Sequence, residues 1–104
     1  MITPCYNGSR FISQTIDSVL AQSWRNWEMI IVDDGSVDNS AEIIEEYSQK
    51  DRRIQYVYQD NAGSAAARNK GIRLARGQYI ALLDADDLWD PDFLKRQIRF
   101  MKNR

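Results

Sequence analysis

The densest chemistry in this sequence is the run Asp84-Ala85-Asp86-Asp87, which directly follows the apolar segment Tyr79-Ile80-Ala81-Leu82-Leu83. Carboxylates packed this closely repel one another, which raises at least one pKa unless a cation compensates. A divalent ion bridging two phosphate oxygens supplies that compensation. With Asp-x-Asp spacing, one carboxylate can contact the metal while the other turns toward a hydroxyl or a ribose. The competing reading is that these aspartates cap the following helix and face solvent. Asp90, just before Pro91, fits that simpler role.

A second acidic run, Asp33-Asp34-Gly35-Ser36, closes another apolar segment. Taken alone it reads as a turn, because Asp side chains bond to nearby backbone and glycine permits positive φ. Paired with the Asp84 run it becomes a candidate site. Asp33, as the first residue off the strand, would accept a hydrogen bond from a nucleobase N–H. Asp34 would order the loop or approach the metal. Arg68 could pair with Asp33 or Asp84 and contact a bound nucleotide, or it could be a surface arginine beside Lys70, Arg73 and Arg76. Tyr6 either stacks on a base or fills the rim, and Gly63 at a helix start could admit a close ligand approach.

Other chemistries are excluded by composition. The 104 residues contain no His and one Cys, Cys5. Ser-His-Asp and Cys-His nucleophilic sites need an imidazole base, a zinc centre needs several Cys or His ligands, and a disulfide needs a second Cys. Cys5 therefore reads as a small buried filler in a reducing compartment. A bound metal would be a hard cation on oxygen ligands, Mg²⁺ or Mn²⁺. With 14 Lys+Arg against 15 Asp+Glu, the net charge is −1, which gives no electrostatic footprint for nucleic acid. No apolar run reaches the roughly 18 residues of a membrane span, and no secretory signal opens the chain.

These residues need elements to position them, and the sequence alternates strand-like and helical segments, the mark of an α/β layer fold. Met1-Ile2-Thr3 reads as a strand stub stopped by Pro4. Phe11, Ile12, Thr15, Ile16, Val19 and Leu20 share one face of a helix over about residues 9–22. Trp27 to Val32 reads as a buried strand, broken by Asp33 and Asp34. Asn39 and Glu42 have the spacing of a capping box, with Ile43, Ile44 and Tyr47 on the buried face behind it. Ile54 to Tyr58 is a third strand, Gly63 to about Ala75 an Ala-rich helix packed closely on the sheet, and Gln78 to Leu83 a fourth strand. A helix from Pro91 buries Leu94, Ile98 and Met101. Its Lys95, Arg96, Arg99, Lys102 and Arg104 read as a solvated face, with a membrane-surface or phosphate contact as the alternative. Trp24 and Trp27 fall at the end away from the polar loops and read as packing. Right-handed crossovers place the strands in one parallel sheet, whose ligands bind outside the carboxyl ends of the strands. The four polar loops that start at Pro4, Asp33, Asp60 and Asp84 all lie there.

Four motifs in order, Pro4-Cys5-Tyr6-Asn7, Ile30-Ile31-Val32-Asp33-Asp34-Gly35-Ser36-Val37-Asp38, Asn61-Ala62-Gly63 with Ala67-Arg68-Asn69-Lys70-Gly71, and Leu82-Leu83-Asp84-Ala85-Asp86-Asp87, closely resemble family-2 glycosyltransferases of the GT-A fold. The resemblance covers nearly the whole chain. It implies a Rossmann-like open parallel sheet of about four strands, order 3-2-1-4, flanked by helices. Residues 1–104 would then be the N-terminal nucleotide-binding half of an inverting, metal-assisted enzyme that uses a nucleotide-diphosphate sugar. Carried over, Pro4 and Tyr6 line the base pocket, Asp33 bonds the base (usually uracil), Arg68 supports the nucleotide, and Asp84 contacts the ribose side. Asp86 coordinates Mg²⁺ or Mn²⁺, and Asp34 and Asp87 stand behind these contacts. The acceptor would be a saccharide or lipid-linked hydroxyl, and the enzyme would work in the cytoplasm, at the cytoplasmic face of the membrane when full-length.

The resemblance also implies what is missing. The family's catalytic-base carboxylate lies downstream of the Asp-x-Asp motif, beyond Arg104, and the family usually has more apolar residues before Pro4. The expectation is an incomplete domain that binds nucleotide weakly and transfers no sugar by itself. Its strand-four edge, with Phe93, Phe100 and Met101 nearby, would favour a homodimer. A phosphoacceptor receiver is disfavoured because its acidic pair would follow the wrong strand, and a nucleotidyltransferase because no basic, Gly-rich phosphate loop opens the chain. A non-catalytic nucleotide-binding or structural module is the remaining alternative.

Overall fold

The computed structural model describes residues 1–23, 25–75 and 82. Among them, three strands and three helices alternate: β1 Ile2–Cys5, α1 Ile12–Leu20, β2 Met29–Asp34, α2 Ser40–Lys50, β3 Ile54–Gln59 and α3 Ser64–Leu74. The strands form one parallel sheet in the order β1-β2-β3. Leu82 makes a parallel bridge to Ile2, on the edge of β1 that β2 leaves open. β1 is thus flanked on both sides, as the order 3-2-1-4 requires. The rest of the expected fourth strand, the helix from Pro91, the edge expected to support a dimer, and Trp24 lie outside the described residues.

β2 is buried along its whole length, as a parallel strand covered on both faces must be. Strand alternation then sorts the core into two layers. Met1, Cys5, Met29, Ile31 and Ile54 meet Ile12, Ile16 and Val19 of α1 and Ile44 of α2 on one side. Ile2, Ile30 and Val32 meet Ala67 of α3 on the other. Each isoleucine so buried contributes about 1.5–3 kcal/mol. No helix among the described residues is long and apolar enough to cross a membrane.

α3 lies close to the sheet because its contact face is made of small residues. Ala67 and Gly71, one turn apart, are its buried positions, and a Cβ on Gly71 would collide with the Ile2 side chain.

Three local expectations change. Pro4 does not stop β1, since it stands in register with Val32. Ile30 N donates to Met1 O, so Met1, Thr3 and Cys5 direct their backbone groups to β2. The missing N–H of Pro4 faces away from β2 and removes no bond to it. Asp33 and Asp34 do not break β2 but complete it. The capping box at Asn39 does not form, because Asn39 makes no side-chain cap bond. Asp38 takes over instead, with Oδ1 accepting from Ser40 N at 3.0 Å and from Ser40 Oγ at 2.6 Å.

At the amino end of the sheet, the Arg53 guanidinium lies 3.9 Å from the centroid of the Trp27 ring. It also bonds both Asp51 carboxylate oxygens and Arg25 O. Trp27 is the packing residue expected at the end away from the polar loops.

Candidate functional site: the rim at the carboxyl ends of the strands

Asp33 and Asp34 are successive strand residues, so their side chains leave opposite faces of the sheet. Asp33 goes to the α1/α2 side, where Oδ2 accepts from Tyr56 Oη at 2.7 Å and Oδ1 from Ser36 N at 2.9 Å. Burial and this bond push the Tyr56 phenol well above its ordinary pKa, so it stays a donor. Asp33 is buried, at 1% exposure. It is the penultimate residue of β2 rather than the first residue beyond it, and Gly35 takes that place.

Asp34 goes to the α3 side and holds the loop after β3. Its Oδ1 accepts from Gln59 Nε2 at 2.7 Å and Ala62 N at 2.8 Å, and its Oδ2 from Gly63 N at 3.0 Å and Asn61 Nδ2 at 3.4 Å. The Gln59 bond is the main cause of a carboxyl pKa below the usual value. Burial opposes the shift, and the N–H groups of Ala62 and Gly63 reinforce it. Four donors on two oxygens occupy the lone pairs a metal would need, so of the two roles expected for Asp34 the structure supports loop ordering. Gly35, at φ +74°, completes this junction: a Cβ there would stand 2.9 Å from Asn61 N.

The loop after β1 is tied to the loop after β2. Asn7 N donates to Ser36 Oγ at 2.9 Å, and Val37 N donates to Asn7 Oδ1 at 2.8 Å. Gly8 N donates to Ser40 Oγ at 2.9 Å and Ser9 N to Asp38 Oδ2 at 3.1 Å. Desolvation opposes ionisation of Asp38, but the hydrogen bonds from Ser40 and Ser9 outweigh it and bring the carboxyl down to about 2. Cys5, at the root of this loop, is a free, buried thiol whose pKa is raised chiefly by burial. That is the environment of a filler, not of a thiolate nucleophile.

Pro4 is half-buried near the end of β1, Tyr6 stands 55% exposed in the first loop, and Arg68 is half-buried on α3 next to Ala67. Asp84, Asp86 and Asp87 lie outside the described residues. Among the described residues, no three His, Cys, Asp or Glu side chains group to hold a metal ion. The sequence did not single out Asn7, Ser36, Gln59 or Tyr56. Two signals were available: an Asn before Gly8, a residue tolerant of the left-handed region, and the polar tip of β3, which must face whatever ends β2.

A parallel α/β sheet with its carboxyl-end loops bound into one rim is the frame of a nucleotide-binding domain. The chain belongs to glycosyl transferase family 2, whose family model matches residues 1–104. It is 49% identical over 105 residues to TuaG of Bacillus subtilis (strain 168), named as a teichuronic acid biosynthesis glycosyltransferase, and the match covers 100% of this chain and 42% of TuaG. Among solved structures, S. aureus TarS 1–349 in complex with UDP superposes with a TM-score of 0.90 at 26% identity, over 98% of this chain and 31% of the TarS 1–349 chain. The mannosyltransferase PcManGT from Pyrobaculum calidifontis, in complex with GDP-Man and Mn²⁺, gives a TM-score of 0.74 at 26% identity, over 85% of this chain and 27% of that one. The chain thus spans less than half the length of each of these proteins. The fold is the GT-A arrangement expected from the sequence.

Proposed function

We propose that residues 1–104 are the donor-binding portion of an inverting glycosyltransferase that moves a sugar from a UDP-sugar to an acceptor hydroxyl during synthesis of a cell-surface polysaccharide. The observation that carries this reading is the rim itself. Three loops are bonded into one surface, with Tyr6 exposed on it and Asp33 beneath it, in a chain of glycosyl transferase family 2. The UDP complex of TarS and the teichuronic acid name of TuaG support the choice of base and product class.

In this reading Pro4 and Tyr6 line the base pocket, Asp33 bonds the base, Arg68 supports the nucleotide and Asp84 meets the ribose. Asp86 holds Mg²⁺ or Mn²⁺, with Asp87 behind it; the all-oxygen donor set of the Asp84–Asp87 run suits either ion, and PcManGT carries Mn²⁺. When bound, the ion neutralises charge that develops on the departing diphosphate. The chain's own contribution is to hold the nucleoside still, through loops whose N–H groups are already bonded, so that little reorganisation accompanies departure. The acceptor hydroxyl attacks the anomeric carbon from the opposite face through an oxocarbenium-like transition state. The base that deprotonates it, and the acceptor site, fall to sequence beyond these 104 residues. The buried free Cys5 is compatible with a cytoplasmic setting.

Calorimetry with UDP, with and without Mn²⁺, tests the reading. Metal-dependent binding that is lost in Asp86→Ala supports it. Absence of binding to any nucleotide would leave a structural module in its place.

A further inference from the structure

Tyr6, the exposed aromatic of the rim, is held in place by the residues on either side of it. Before it, Cys5 is buried at 1% exposure and paired in the sheet with Asp33. After it, Asn7 takes φ +51°, the one non-glycine residue at positive φ among the described residues. Left-handed backbone costs most residues about 1–2 kcal/mol, and least Asn, Asp and Gly. The conformation persists because Asn7 is bonded at both ends: its N–H donates to Ser36 Oγ, and its Oδ1 accepts from Val37 N. Ser36 is in turn fixed by its own N–H to Asp33 Oδ1 at 2.9 Å. One short path therefore joins the carboxylate assigned to the base with the aromatic assigned to the base, and Asn7 is its bridging residue.

We infer that Asn7 is a positioning residue for nucleoside recognition, acting through Tyr6 rather than by touching the ligand; this rests on the donor-site reading above. A loop already in its bound shape spares the ordering cost that would otherwise be drawn from binding. Releasing Asn7 lets Tyr6 sample other positions and returns that cost.

Three substitutions separate this role from a merely structural one. Asn7→Gly keeps positive φ accessible but removes the acceptor for Val37. Ser36→Ala removes the acceptor for the Asn7 N–H and leaves the Ser36 N–H bond to Asp33 intact. Asn7→Asp keeps both the left-handed tolerance and an acceptor oxygen. UDP binding is measured by calorimetry well below the melting temperature of each variant, where all are folded, with inorganic pyrophosphate as the probe for the part of the site Tyr6 does not reach. Asn7→Gly and Ser36→Ala should each weaken UDP about five- to ten-fold, the scale of one lost hydrogen bond. Pyrophosphate binding should be unchanged, and Asn7→Asp should stay within about two-fold of the parent. Equal UDP affinity in the parent, Asn7→Gly and Ser36→Ala would overturn the inference, as would an equal loss for pyrophosphate. If the parent binds no nucleotide at all, it is the donor-site reading that has failed.

Discussion

Asp34 Oδ2 accepts the backbone N–H of Gly63 at 3.0 Å, joining the last residue of β2 to the N-cap residue of α3, 29 positions away. With Oδ1 on Ala62 N and Gln59 Nε2, one carboxylate sets where the third loop ends and its helix begins.

Replacing the buried Asp34 by Ala takes the acceptor from donors on the half-buried Gln59 and the exposed Ala62 and Gly63, where water replaces it in part, at a cost of about 1–2 kcal/mol. The expected result is a lower urea midpoint with an unchanged slope. Asp34→Asn should recover only part of the loss, because an amide presents one acceptor oxygen to several N–H donors.

Acid should loosen the rim before it unfolds the core. Asp34 and Asp38 both have folded pKa values below their ordinary ones. Their contribution is therefore complete above the unfolded value of about 3.9 and is lost as pH falls through the folded value. For Asp38, whose folded value is about 2, the loss spans roughly pH 4 to 2. Amide exchange of Ser9 and Ser40, whose N–H groups Asp38 accepts, should accelerate in that window relative to Ile30 and Ile31. In Asp38→Asn this pH dependence should disappear.

The glycines Gly35 and Gly63 share positive φ but differ in surroundings. A Cβ on Gly35 meets the Asn61 backbone, and one on Gly63 meets open space. Gly63→Ala should cost only the backbone penalty of its φ +98°, ψ +162° conformation, about 1–3 kcal/mol. Gly35→Ala should cost more and should also separate the second and third loops. Thermal melts rank the two, and a Gly35→Ala as stable as Gly63→Ala would refute the close approach.

Gly71→Ala tests the contact between α3 and the sheet. In an exposed helix interior this change stabilises by up to about 1 kcal/mol. Here the added methyl strikes Ile2, and overpacking of this kind costs about 1–3 kcal/mol. The denaturation midpoint should fall rather than rise.

The layer fold and the faces of its helices were legible in the sequence, because they rest on local periodicity. Ile12, Thr15, Ile16 and Val19 are buried as their spacing predicts, whereas Phe11, expected on the same face, is the N-cap of α1 and stands 45% exposed; the small residues of α3 do lie tight against β1. What local pattern could not show was where chain-distant partners intervene. Asp33 and Asp34 look like strand breakers until Tyr56, Gln59, the Asn61 side chain and the backbone N–H groups of Ala62 and Gly63 satisfy them, and a satisfied carboxylate can remain in a strand. Asn39 and Glu42 have the letters of a capping box. Asp38 displaces them because it also reaches Ser9, a residue of the first loop. Of the candidate site, the loops were legible and the bonds between them were not. The partners in the bonds that join different segments of the rim lie 23 to 32 positions apart, beyond any periodic window.

The bridge between Ile2 and Leu82 has a kinetic consequence. β1 precedes both of its sheet neighbours in the chain, yet one of them is Leu82, 80 positions further along. Its other neighbour, β2, follows within about thirty residues, so the β1-β2-β3 layer with α1 and α2 can assemble early. Closing the second edge of β1 waits on a long loop, and parallel pairings of such sequence separation are slow to form. The strand flanked by β2 and Leu82 is therefore made before either neighbour and is among the last to be fully paired.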